Sequence, residues 1–72
     1  MLIYIIQDDL DKAIWYNKRG YVRNPQDYAW PFAIALLYDE VENKAKALDY
    51  AQEALELVPD NKNVINFINK LK

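Results

Sequence analysis

Several residues in this chain recur at one constant offset of 34, and that recurrence restricts the fold more than any other feature. Pro25 is matched by Pro59, Ala13 by Ala47, Tyr16 by Tyr50 and Tyr4 by Tyr38, and Gly20 meets Ala54 as a second small residue. A single pair carries no information. Several pairs in register point to duplication of one supersecondary unit, and a chain of 72 residues holds one complete copy, part of another and a short remainder.

Residues 43–61, NKAKALDYAQEALELVPDN, show what the unit is made of. Ala47, Ala51 and Ala54 recur at three- and four-residue steps with Leu48, Leu55 and Val58 beside them, while Lys46, Asp49, Glu53 and Glu56 take the other side. This is the pattern of an amphipathic helix, with Asn43 as its expected cap and Pro59 after its end. Alanines on a buried stripe let a neighbouring helix approach closely, so the helix is expected to be packed on both flanks.

A helix-turn-helix unit with a period of 34 residues resembles the tetratricopeptide-repeat family. The best match is the unit from about Tyr28 to Asn61. Trp30, Ile34, Ala35 and Tyr38 supply the aromatic, the large-small pair and the second aromatic of the first helix, with Trp30 one place early and Pro31 at the usual aromatic position. In the second helix Ala47 and Ala54 fit the family's alanines, Ala51 is smaller than usual, and residues 56–61 (ELVPDN) match its ending. Glu42 stands where the family places a glycine in the helix-helix turn. The resemblance implies an all-α fold of antiparallel helix-turn-helix repeats forming a superhelix, divided as 1–27, a partial repeat, 28–61, a full repeat, and 62–72, a capping helix. Residues 12–16 (KAIWY) also suggest the related Sel1-like repeats, although the constant offset favours the tetratricopeptide reading.

At the two ends the expectations differ. Residues 1–27 read as a stub of a first helix, a turn at Asp8-Asp9 and a second helix from Leu10 to about Val22, with Asp9 as its cap. Leu2, Ile3, Ile5 and Ile6 then form an apolar N-terminal flank that a chain of this size cannot bury by itself, and a contiguous exposed apolar patch marks an interface. That flank is expected to continue a longer array or to pair two copies as a homodimer. Val64, Ile65, Phe67, Ile68 and Leu71 share one face of the last segment, opposite Asn63, Asn66, Asn69 and Lys70, as suits a terminal element with a polar outer side.

Chemistry is limited by what the chain lacks. It contains no His, Cys, Ser or Thr, so nucleophilic catalysis would fall to Tyr or Lys, and no catalytic residue and no cofactor are expected. Asp8, Asp9 and Asp11 are the only dense acidic cluster, but the segment lacks the glycine and closing glutamate of a calcium loop, so no metal is expected either. The net charge of −2 argues against nucleic acid; Lys18, Arg19 and Arg23 read as solvated helix charge, and of Tyr4, Trp15, Tyr16, Tyr21, Tyr28, Trp30, Tyr38 and Tyr50 most read as core or inter-repeat packing, with one or two at a binding surface. The opening apolar run is far shorter than the ~20 residues of a membrane span, and a cytoplasmic protein is expected.

The resemblance further implies a concave groove lined by first helices, a surface that holds an extended peptide or a partner helix. In this sequence Ala29, Phe32, Leu36, Asp39 and Glu40 fall on the groove side, with Leu2, Ile5 and Ile6 on the equivalent surface of the stub. Phe32, Ala33 and Leu36 stand where chaperone-binding members carry lysine and asparagine, so an apolar ligand with a basic rim to meet Asp39 and Glu40 fits better than a free carboxylate. The function implied is a protein-protein interaction scaffold without catalysis, the alternative being a self-associating structural element.

Overall fold

The computed structural model describes the backbone from Leu2 to Lys72 and the side chains from Asp9 onward. Its four elements are all helices: α1 (Leu2–Arg23), α2 (Ala29–Glu40), α3 (Lys44–Leu57) and α4 (Lys62–Leu71). The all-α expectation therefore holds. Each helix packs on the next in sequence, α2 on α3 most extensively, within an envelope of 40 × 29 × 16 Å.

The expected turn at Asp8-Asp9 does not form. Backbone helix is continuous through that stretch, and Asp9 is an exposed residue inside α1 rather than a cap. No proline or glycine interrupts residues 2–19, and an aspartate costs a helix interior only ~0.7 kcal/mol relative to alanine, too little to break it. The helix ends where the chain chemistry requires. Asn24 precedes Pro25, which disfavours helical backbone before it, and the Asn24 N–H closes the last turn on the Gly20 carbonyl at 2.9 Å.

The three later helix boundaries show their caps. Asp27 Oδ1 accepts from the Ala29 N–H at 3.0 Å, and Pro31, one of the most deeply buried side chains, sits in the first turn of α2, where a missing N–H costs nothing. Asn43 and Asn61 cap α3 and α4, each side chain accepting a backbone N–H three residues on at 3.2 Å. Between α2 and α3 the Asn43 N–H reaches the Tyr38 carbonyl at 2.9 Å and the Glu42 N–H the Asp39 carbonyl at 3.0 Å, a Schellman pair. Glu42 carries φ 62 there. It adopts the left-handed backbone that glycine takes most easily, so the turn forms despite the substitution.

Among the described residues two clusters make the core. Ile14, Ile34, Tyr38 and Ala47 join α1, α2 and α3, while Ala35, Ala51, Ala54, Val64, Phe67 and Ile68 join α2, α3 and α4. Ala47, Ala51 and Ala54 are each fully buried, which places α3 in contact with a helix on either side, as the alanine stripe requires. Tyr38 and Tyr50 stack with ring centroids 5.7 Å apart. The two sides of the core are bridged by a hydrogen bond from the Tyr21 hydroxyl on α1 to Glu53 Oε1 on α3, 2.6 Å long.

Candidate functional site

The residues expected to form the groove separate into two kinds. On α2 the buried positions are Pro31, Ile34, Ala35 and Tyr38, so the opposite face carries Ala29, Leu36 and Glu40 exposed, with Phe32 and Asp39 half-buried at its margin. Leu36 leaves 43% of its surface in solvent, a large fraction for a leucine in a small folded chain. Phe32 belongs in part to the core: its ring meets Phe67 edge-on at 5.7 Å and Tyr28 at 6.3 Å. The α2 face is therefore a short apolar strip, centred on Leu36 and edged by two acids. The side chains of Leu2, Ile3, Ile5 and Ile6, the expected N-terminal interface, lie outside the described residues.

A second surface was not anticipated. The outward side of α1 carries Trp15, Tyr16, Arg19 and Arg23, and with Gly20, Asn24 and Trp30 they line a cleft of about 580 Å³. Trp15 is 53% and Tyr16 67% exposed. Their rings meet edge-to-face at 5.1 Å, and the Arg19 guanidinium lies 4.9 Å from the Trp15 ring centre. Trp30 forms the far wall. Its ring rests on the bare backbone of Gly20, where an added Cβ would come within 2.5 Å of Cζ3.

The ingredients of this cleft were visible in the sequence, but as separate features. Trp15, Arg19 and Arg23 are spaced four apart and must share a helix face, so that half of the surface could have been read from α1 alone. The other half comes from α2. Nothing local indicates that Trp30 crosses back to Gly20.

Other polar clusters are accounted for by packing. Lys18 Nζ lies 5.3 Å from the Tyr38 ring centre and 5.8 Å from that of Tyr50, and Lys46 Nζ 5.5 Å from Tyr38, so two ammonium groups flank the stacked tyrosines. Hydrogen bonding with Tyr38 raises the Lys18 pKa above its ordinary value, against the opposing effect of burial. On Tyr21 the bond to the Glu53 carboxylate, aided by burial, pushes the phenol up to about 12. Among the described residues no three His, Cys, Asp or Glu side chains converge as metal ligands would, and no helix is long and apolar enough to cross a membrane. Compared with models of known protein families and with curated proteins, the chain finds no match in either.

Proposed function

We propose that the chain is a protein-interaction module of the tetratricopeptide type, with antiparallel hairpins α2–α3 and α3–α4 and an α2 face that holds an apolar peptide or helix of a partner protein. The observation that carries this reading is Leu36, 43% exposed on a helix whose other side is fully committed to the core. Three further features support it: the 34-residue recurrence, the buried alanines of α3, and the polar outer side of α4, where Asn66, Asn69 and Lys70 are exposed. Asp39 and Glu40 beside the strip favour a partner with basic residues flanking its apolar face. The reading includes no catalysis and a cytoplasmic setting.

The test uses a synthetic amphipathic helix with a leucine face flanked by lysines. Binding that Leu36→Lys weakens at least tenfold supports the proposal, since that substitution places a cation against the ligand's own. Indifference to Leu36→Lys rejects this face. Light scattering over a tenfold concentration range separates the alternative: a dimer that Leu36→Lys dissociates would mean that the strip serves self-association instead.

A further inference from the structure

From the geometry of the α1–α2 cleft we infer a second docking site, which takes an acidic peptide segment and holds its carboxylates on Arg19 and Arg23 with an apolar side chain against Trp15 and Trp30. The site stands apart from the α2 face, because neither Phe32 nor Leu36 lines it.

Charge is the first argument. The lining carries two arginines and no carboxylate, on a chain whose net charge is −2. Cations collected in one cleft of an acidic protein select an anionic partner locally while the remaining surface repels a polyanion. That balance favours a short acidic segment over a nucleic acid, whose successive phosphates would leave the two arginines behind and meet acids.

Preorganisation is the second. The cation–π contact of the Arg19 guanidinium with the Trp15 ring, 4.9 Å from its centre, restrains an exposed side chain whose N–H groups suit a bidentate carboxylate. Gly20 lets Trp30 lie flat against α1, so the aromatic wall is set by backbone contact. Exposed Trp, Tyr and Arg side chains in one cleft are the residue types that carry most binding energy at interfaces.

Spacing is the third. Arg19 and Arg23 are four residues apart on a helix, a rise of ~6 Å, and carboxylates at positions i and i+2 of an extended peptide are ~6.6 Å apart on one side. The groove also continues. Arg23 and Asn24 line a second cleft of about 480 Å³ that runs over Pro25 to Asp27, giving an extended chain a path past the second arginine. Asp27, whose Oδ1 accepts from the Ala29 N–H, closes this second cleft with a carboxylate, so the acidic residues of the segment belong on Arg19 and Arg23 and the stretch past Arg23 takes uncharged residues.

The experiment titrates the protein with a capped peptide carrying two glutamates either side of a proline, and with its glutamine counterpart, following tryptophan emission. The inference expects saturable quenching by the glutamate peptide, binding at least tenfold weaker for the glutamine peptide, and a similar loss in Arg19→Gln and in Arg23→Gln. Both arginines are exposed, so these variants should keep the native far-UV circular dichroism, and the peptide comparison needs no variant at all. Equal binding of the two peptides, or none, overturns the inference. So does tighter binding of a twelve-residue oligothymidylate than of the glutamate peptide. The α2 face is tested with a peptide of opposite charge, so failure at one surface leaves the other standing.

Discussion

The Trp30 ring lies on the Gly20 backbone with its Cζ3, Cε3 and Cη2 atoms 2.5–2.6 Å from where a Cβ would stand. Two effects of Gly20→Ala therefore oppose each other. Alanine in a helix interior gains ~1 kcal/mol over glycine, but here the methyl group must displace a half-buried indole that closes α1 onto α2. The displacement should absorb the gain: unfolding in denaturant is expected to show no added stability, and Trp30 emission, read in a Trp15→Phe background, should shift to the red. A gain of the full propensity difference with unchanged emission would mean that the contact is looser than drawn.

Glu42 presents the converse case. A non-glycine residue at φ 62 costs ~1–2 kcal/mol, while glycine adds roughly 0.5–1 kcal/mol of unfolded-state entropy. Glu42→Gly is expected to stabilise the fold by up to ~1 kcal/mol, and Glu42→Val, β-branched in left-handed backbone, to destabilise it by more than that. Chemical denaturation midpoints with unchanged slopes would measure both. If the glycine variant is less stable, the Glu42 side chain contributes something that its position does not reveal.

At the α2–α3 contact, Ala47 has no exposed surface and packs among Ile14, Ile34 and Tyr38. Leucine there adds three carbons to a filled space, so Ala47→Leu should lower stability by ~1–3 kcal/mol. An unchanged melting temperature would contradict the close approach of the helices.

Phe32 and Leu36 are one turn apart on α2 and should respond differently. Phe32→Ala removes the edge contact to Phe67 and should cost ~2 kcal/mol, less than the ~3–5 kcal/mol of a fully buried phenylalanine. Leu36→Lys should change stability by less than ~0.5 kcal/mol, as for an ordinary surface site. Thermal unfolding of the two variants separates the part of the strip that supports the fold from the part free to bind.

What the sequence disclosed follows from how local each determinant is. The Asn43 cap, the alanine stripe of α3 and the apolar face of α4 depend on spacings within one helix, and all three were legible. Asp9 was misread as a cap because an aspartate ahead of an apolar helical pattern suits a helix start, and Asn43, 34 residues on, does cap one. The same offset does not require the same break when the segment contains no glycine or proline. The Trp15–Trp30 cleft was illegible as a unit, since it arises only when α2 places its indole over a glycine ten residues earlier. The turn at Glu42 was legible from the repeat pattern although glycine is missing there, and it forms because the Schellman bonds to Asp39 and Tyr38 are backbone interactions that hold whether or not the residue is the favoured one.

The link between Tyr21 and Glu53 gives the fold a pH dependence with a definite sign. Hydrogen bonding to the Glu53 carboxylate, with burial and that carboxylate's charge adding to it, raises the phenol from its ordinary 10.0 to about 12. Below the ordinary value both folded and unfolded chains keep the proton, and the interaction is fully present. Between the two values the unfolded chain releases its proton while the folded chain retains it, so stability falls as pH rises and the contribution is gone above about 12. Lys18, raised from 10.5, adds a decline of the same sign. The melting temperature of the native chain should therefore drop across this alkaline range, and Tyr21→Phe, less stable by ~1 kcal/mol at neutral pH, should show a shallower drop. A phenolate absorbance titration supplies the second measurement, because the step near 12 must vanish in Tyr21→Phe and move toward the ordinary value in Glu53→Gln. If the step survives in Tyr21→Phe, another of the six tyrosines carries it, and the α1–α3 bridge is not the alkaline switch.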